Sequence, residues 1–420
     1  MSVSPISTTI TPSPWLLCGF RPFYLATAAY AIVLVVLWAM ALSGAVSVPV
    51  PAGAGGAVAW HVHEMIYGFA LASVAGFLLT AVPEFTGATP VCGRPLFALM
   101  LLWVAARAAF WLAGVFTPWP ALALNLGFAA ALLAIFAPAI LRDPTRAHLS
   151  FLWALAALAV AQAGFFFDVL TGAATLRWLY VAVGIVMILI VIAMSRVSMR
   201  LFNNILRDGE GVEVTYLARP PRRNLATFAI GLYTAVEFFA PGNAIAGWLA
   251  LAAGAALFNL LNDWHLGRAT FNRWILLLYT VYAQMAVGYA LLGLSVLGGW
   301  GLASAARHVL LIGALGVAIF VIMAIAGRIH AGYWLERRRW VPIGAVLLIF
   351  AGLARVLAVA DLPGVTYVTA MAGAALAWIA AFGIFLGFMW RTLTGPRPDD
   401  AGGCAEPVRT AATPEDALAC

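Results

Sequence analysis

Trp60-His61-Val62-His63-Glu64-Met65 places two imidazoles and a carboxylate within four positions. Neutral imidazole is the commonest metal ligand, and a carboxylate behind it fixes the tautomer. On a helix His61 and Glu64 share a face, with Met65 one position further on the same side, while His63 points about 200° away. This turn can therefore offer ligands to two neighbours, or ligate through one His and hydrogen-bond through the other. Glu64 is spaced to stand behind His61 or to relay a proton. His308 adds an imidazole much later in the chain. The candidate metal ligands are therefore His61, His63, Glu64 and His308. His330 lies 22 residues beyond His308, about 33 Å along a continuous helix. Those two cannot share one metal, so there are two sites or only one of them is functional. Each His also has a plainer role open to it, as a hydrogen-bonding group between helices or at headgroups. No residue is assigned as catalytic.

The elements that position these groups follow from composition. The chain has 420 residues, 64% hydrophobic and 9% charged, whereas an average soluble domain is about 45–50% apolar and about 25% charged. Sixteen acids and 23 bases cannot cover a soluble surface of this size. The fold class is all-α: a polytopic membrane helix bundle in a lipid bilayer. A span needs about 20 apolar residues. Twelve runs qualify, near 23–43, 60–82, 96–114, 119–140, 149–170, 178–199, 225–241, 244–262, 274–297, 304–326, 340–360 and 366–390. The seventh is short, and a break is expected around Glu237–Pro241. Tight connections at Phe116–Pro118, Pro241–Asn243, Gly298–Ala303 and Asp361–Val365 predict antiparallel neighbours. Met1–Phe20 lacks a positive n-region and a small-residue cleavage site, which predicts an uncleaved first helix.

All 23 basic residues are Arg. With the N-terminus in the cytoplasm, 18 of them fall on the inner side, two (Arg177 and Arg307) near the outer side, and three (Arg107, Arg196 and Arg355) inside spans. The positive-inside bias thus predicts both termini cytoplasmic. The net charge of +7 marks topology and not nucleic acid, because no basic patch is interleaved with aromatics. The predicted organisation is a cytoplasmic segment 1–22, a six-helix group 23–199, a linker 200–224, a second six-helix group 225–390 and a disordered tail 391–420. His63-x4-Gly68 and His308-x4-Gly313 look alike, but a simple six-plus-six repeat would not pair their helices. Cys18, Cys92, Cys404 and Cys420 give no disulfide framework by spacing.

Ionisable groups inside a bilayer are costly and mark function. By this topology His61, His63, Glu64, His308, Arg107, Asp168, Glu237 and Arg355 collect in the outer half of the bundle. Arg107 and Arg355 are expected as ion-pair partners of Asp168 and Glu237. Arg196 and His265 lie near the inner interface, where snorkelling accounts for them.

Phe20-Arg21-Pro22-Phe23, the string Trp60-His61-Val62-His63-Glu64-Met65-Ile66-Tyr67-Gly68-Phe69, and Gly76-Phe77-Leu78-Leu79-Thr80-Ala81-Val82-Pro83 resemble the NnrS family. So do the spacing to Thr86-Gly87 and the stretch from Arg307-His308 to Gly313-Ala314-Leu315-Gly316. The likeness covers nearly the whole chain. It thins on the inner side, where only Arg196, Val197 and Asn204, then His330 and Gly332, keep the family pattern. Tyr279 stands where the family commonly carries a His. The resemblance implies a multi-pass protein of the bacterial inner membrane that contains haem and copper and is associated with the nitric oxide response in denitrifying and other bacteria. It favours an outer site over an inner one.

The expected function is therefore an NnrS-like protein that binds haem and/or copper through outer-half histidines and acts in nitrosative stress. Two other classes fit the same sequence: a twelve-helix secondary transporter with buried charges lining its path, and a non-catalytic assembly subunit of a respiratory or denitrification complex. There is no Rossmann or flavin fingerprint, so any electrons would come from quinol or a redox partner protein.

Overall fold

The structure, a computed structural model, describes residues 13–48, 55–209, 216–265, 267–335, 338–359, 363–364, 366–399 and 403–404. Apolar runs this long satisfy every backbone group internally only as helices. Among the described residues twelve long helices form in chain order: α1 Phe20–Leu42, α2 Gly56–Thr86, α3 Gly93–Trp111, α4 Pro118–Arg142, α5 Leu149–Thr171, α6 Leu176–Gly209, α7 Pro220–Phe239, α8 Ala244–Leu261, α9 Arg273–Gly298, α10 Ala303–Ile329, α11 Trp340–Leu357 and α12 Tyr367–Thr394. Eleven are long and apolar enough to cross a membrane; α7, with 20 residues, is the less hydropathic twelfth. No strand is found among the described residues. The chain is an all-helical, multi-pass membrane bundle.

Local chemistry sets the helix ends. Asn243 and Asn272 cap α8 and α9 by accepting from the backbone N–H groups of Ile245 and Trp274. Pro118 and Pro220 open α4 and α7, where a missing N–H costs nothing. Gly172 ends α5 at φ 72°, a left-handed turn that permits the tight reversal into α6. Packing is close where side chains vanish: a Cβ on Gly293 would lie 2.6 Å from the backbone oxygen of Gly247, so α8 and α9 touch backbone to backbone.

Several expectations change. α7 is continuous to Phe239, so the seventh span is not broken. The departures from α geometry lie in α2 and α10, as π-helical segments at Glu64–Ala70 and Val309–Gly316. Each begins immediately after a histidine and holds the glycine of the His-x4-Gly pattern. α6 extends to Gly209 and α7 starts at Pro220, so the linker is shorter than 200–224. α12 runs to Thr394, and the chain stays anchored beyond it: Arg397 is buried, pairs with Asp399 at 2.6 Å and donates to His330 O at 2.8 Å. A disordered tail starting at 391 is thus overturned for residues 391–399; the Asp361, Leu362 and Val365 positions, Arg337, Arg409 and 405–420 lie outside the described residues. Cys18 and Cys404 form a disulfide, a pairing across 386 residues that spacing cannot reveal. Arg21, expected as a topology marker, is fully buried and donates to Pro14 O at 3.1 Å and Gly395 O at 2.6 Å, tying the start of α1 to the end of α12.

The Arg-rich loops share one face. Arg200 pairs with Glu84, Arg196 donates to Ala147 O at 2.7 Å, and Arg222 bonds Asp263 at 2.5 Å. The functional candidates of α2, α3, α5, α7 and α10 sit toward the opposite face. One continuous core joins both six-helix groups, and Trp378 of α12 donates to Ala31 O of α1 at 3.0 Å.

Candidate functional site

Glu64 opens the π-segment of α2 and is fully buried. Its Oε1 accepts from Arg107 Nη1 at 2.6 Å and from His63 Nδ1 at 2.9 Å. Its Oε2 accepts from Trp111 Nε1 at 3.1 Å and from the Tyr30 hydroxyl. Arg107 continues the network to Asn125, which also accepts from Gln162 Nε2 at 2.9 Å. Helices α1 to α5 are thereby cross-linked by hydrogen bonds around one carboxylate. Gly68 makes the arrangement feasible, because a Cβ there would lie 2.4 Å from the Tyr30 ring.

A carboxylate paired with Arg107 only accepts, so His63 donates through Nδ1 and keeps Nε2 bare. That nitrogen is buried without a partner. The ring stacks on Phe110 at 3.8 Å and lies against Phe165 at 4.9 Å and Tyr67 at 5.0 Å. Glu64 therefore serves His63, not His61 as the helical spacing suggested, because Tyr30, Arg107 and Trp111 hold the carboxylate on their side.

His61 belongs to a second cluster. Its ring stacks on Trp38 of α1 at 4.3 Å, and its Nδ1 is buried without a partner. It lies within electrostatic reach of His308 of α10 and Arg355 of α11. His308 donates Nδ1–H to Ser304 O at 2.7 Å, which leaves Nε2 with the lone pair. Arg355 donates to Ser304 Oγ at 3.2 Å, and its Nη1 is buried and unpartnered. Two imidazoles with bare nitrogens and a guanidinium with a spare donor, from three helices, thus lie within electrostatic reach of one another. Among the described residues, no three of His, Cys, Asp and Glu gather as a metal cluster. The outer set splits into a His63–Glu64 network and a looser group of His61, His308 and Arg355.

The expected ion pairs are also redistributed. Asp168 is held by Arg177 through two bonds of 2.8 and 2.9 Å, and Glu237 by Arg307 at 2.8 Å. Arg107 and Arg355 face Glu64 and Ser304 instead. Arg177 and Arg307, taken as stray outer charges, are the true partners. At the Arg-rich face His330 donates Nδ1–H to Cys404 O at 2.8 Å and sits 3.5 Å from Glu84. It borders a cavity of about 100 Å³ with Tyr24, Glu84 and Arg200. His265 is exposed, 3.5 Å from the Tyr279 hydroxyl. His148, before α5, stacks on Phe85 at 4.7 Å, and burial together with nearby Arg196 holds its pKa below the ordinary value.

Sequence reasoning missed Tyr30, Trp38, Trp111, Asn125, Gln162 and Ser304. Asn125 and Gln162 were visible as amides within apolar runs; the aromatics were indistinguishable from ordinary core. No curated protein sequence matches the chain. The model of the NnrS protein family matches residues 14–397, nearly the full length over which this bundle and both histidine-led π-segments are built, and the chain belongs to that family.

Proposed function

We propose that this protein binds a copper ion through His61 and His308 and acts at the bacterial inner membrane in the response to nitric oxide and related nitrosative stress. The observation that supports the reading is that His61, whose Nδ1 is buried and unpartnered, lies within electrostatic reach of His308, whose Nε2 is left bare by its bond to Ser304 O. Imidazole nitrogen suits copper. The setting in nitrosative stress rests on membership in the NnrS family, and the orientation rests on the Arg bias.

The residues around the pair have definable roles. The Ser304 carbonyl fixes the His308 tautomer. Trp38 holds the plane of the His61 ring. Arg355, anchored on Ser304 Oγ, keeps a positive charge with a free donor beside the pair, which favours a small anionic or strongly dipolar ligand there. Copper bound by these two rings would supply a one-electron centre able to take a diatomic molecule. A haem fits less well. The His61 ring already lies against Trp38 at 4.3 Å, and a porphyrin needs a drug-sized pocket of about 300–1,000 Å³. The two cavities described enclose about 210 and 100 Å³, and neither is lined by His61 or His308.

Metal analysis and a visible spectrum of the purified protein test the reading. Copper is expected, lost in His61→Ala and in His308→Ala and retained in His63→Ala and His265→Ala. A Soret band in place of copper replaces the metal assignment; unchanged metal content in both the His61 and His308 variants rejects the site.

A further inference from the structure

The larger cavity, about 210 Å³, lies between α6, α7, α9 and α10, away from the Arg-rich face. Its wall is mainly apolar and aromatic, with Tyr180, Tyr233 and Tyr289 among its residues; its charged groups are Glu237, Arg307 and Arg177, and Thr234 and the tyrosine hydroxyls add neutral polar atoms. None of these is a ligand of the histidine pair. Arg307 and His308 are consecutive, so α10 turns one toward this cavity and the next toward the His61 cluster.

The electrostatics of the cavity select the charge of an occupant. Glu237 is neutralised by Arg307 at 2.8 Å, and Arg177 is neutralised by Asp168. Arg307 is further held over the Tyr180 ring at 4.0 Å. A cation would meet a carboxylate already paired, and an anion would meet Glu237 itself. A neutral molecule is favoured. One polar atom remains unsatisfied: Glu237 Oε2 is buried with no partner. A buried acceptor left without a donor is costly, so an occupant that brings an O–H or N–H to that point is favoured. The size is also informative, since an apolar cavity of about 150 Å³ accommodates benzene. The present volume therefore suits a substituted six-membered ring.

We propose that this cavity binds a neutral hydroxylated aromatic ring of the hydroquinone class, with one hydroxyl donating to Glu237 Oε2 and the ring packed among Tyr180, Tyr233 and Tyr289. The geometry discriminates between redox forms. A hydroquinone supplies the missing donor, whereas the corresponding quinone offers only acceptors and sets a carbonyl oxygen against Oε2. Only binding is assigned to the cavity; it stands independently of the metal at His61 and His308.

The test is equilibrium binding of tetramethylhydroquinone, its oxidised quinone and its dimethyl ether to the full-length protein in nanodiscs under anaerobic conditions. The hydroquinone is expected to bind at least tenfold more tightly than either the quinone or the ether. In Glu237→Gln, whose amide can donate as well as accept, that preference should fall to within about threefold. Val183→Phe, which fills the cavity from α6, should abolish binding of all three while the thermal melt stays cooperative. Equal affinity for hydroquinone and ether in the unmodified protein overturns the proposal, and so does undiminished binding by a folded Val183→Phe variant. The ligand comparison needs no substitution, so it decides the question even if Glu237→Gln fails to fold.

Discussion

The π-segments of α2 and α10 begin after His63 and His308 and share the His-x4-Gly pattern, yet they lead to opposite kinds of polar site. Around α2 the carboxylate of Glu64 accepts from four donors on four side chains, leaving it no free lone pair to offer, and of the His63 ring only Nε2 stays bare. Around α10 the bonds are few. His308 uses one nitrogen, Arg355 uses one arm, and His61 leaves its buried nitrogen open. Buried polarity that is closed on itself holds helices in register. The open nitrogen of His63 belongs to a ring enclosed by Phe110, Phe165 and Tyr67, whereas the open groups of His61, His308 and Arg355 lie within electrostatic reach of one another, and open polarity in such company is the better mark of ligand binding.

The largest effect that tests this contrast comes from Arg107. Arg107→Ala strands the Glu64 carboxylate in the bundle and should destabilise by about 3–5 kcal/mol, as for other buried pairs that lose one member. The measurement is the thermal or denaturant midpoint of the purified protein, compared with Arg355→Ala, which leaves no buried carboxylate behind and should cost clearly less. Equal losses would erase the distinction between a structural and a ligand-binding cluster.

Next in size is metal removal. A ligand at about 100 times its Kd stabilises the native state by about 2.7 kcal/mol. Chelation should therefore lower the melting temperature of the unmodified protein and of His63→Ala, but leave His61→Ala and His308→Ala unmoved. A chelator response that survives in His308→Ala would shift the site away from α10.

The bundle was legible because a bilayer forces long apolar runs into helices. Twelve runs were read and twelve helices form, including α7, whose Glu237 and Pro241 suggested a break that the helix avoids by ending at Phe239. The residues of the site were legible as types, since His61, His63, Glu64 and His308 stand out against apolar neighbours. Their partners were not. Helical spacing assigned Glu64 to His61, but spacing says nothing of the neighbouring helices, and Tyr30, Arg107 and Trp111 draw the carboxylate into a network with His63. Asp168 and Glu237 were matched to arginines inside spans, while Arg177 and Arg307 were set aside as surface charges. A side chain as long as Arg reaches back from a helix end into the bundle. Arg21 and Arg397 were hidden for the same reason, being counted by position in the chain when both are buried and bonded to backbone carbonyls.

The smallest expected difference separates the two glycines. A Cβ on Gly68 would lie 2.4 Å from Cε1 of Tyr30, and a Cβ on Gly313 would lie 2.3 Å from Oε1 of Gln284. The distances are nearly equal, but the neighbours differ. Tyr30 is bonded to Glu64, accepts from Trp111 Nε1 at 2.9 Å and packs on Trp103 at 5.3 Å, so it has nowhere to go. Gln284 presents the end of a flexible chain, its Nε2 donating to Thr280 O at 3.3 Å. Gly68→Ala should therefore cost about 1–3 kcal/mol, the usual range for overpacking a fixed site. Gly313→Ala should cost less than about 1 kcal/mol, because rotating the Gln284 amide relieves the contact and alanine favours the helical backbone over glycine. Paired thermal melts of the two variants measure the gap. If Gly313→Ala is the more damaging, the α10 segment is as rigidly packed as α2, and its open nitrogens must then be explained by packing and not by a ligand.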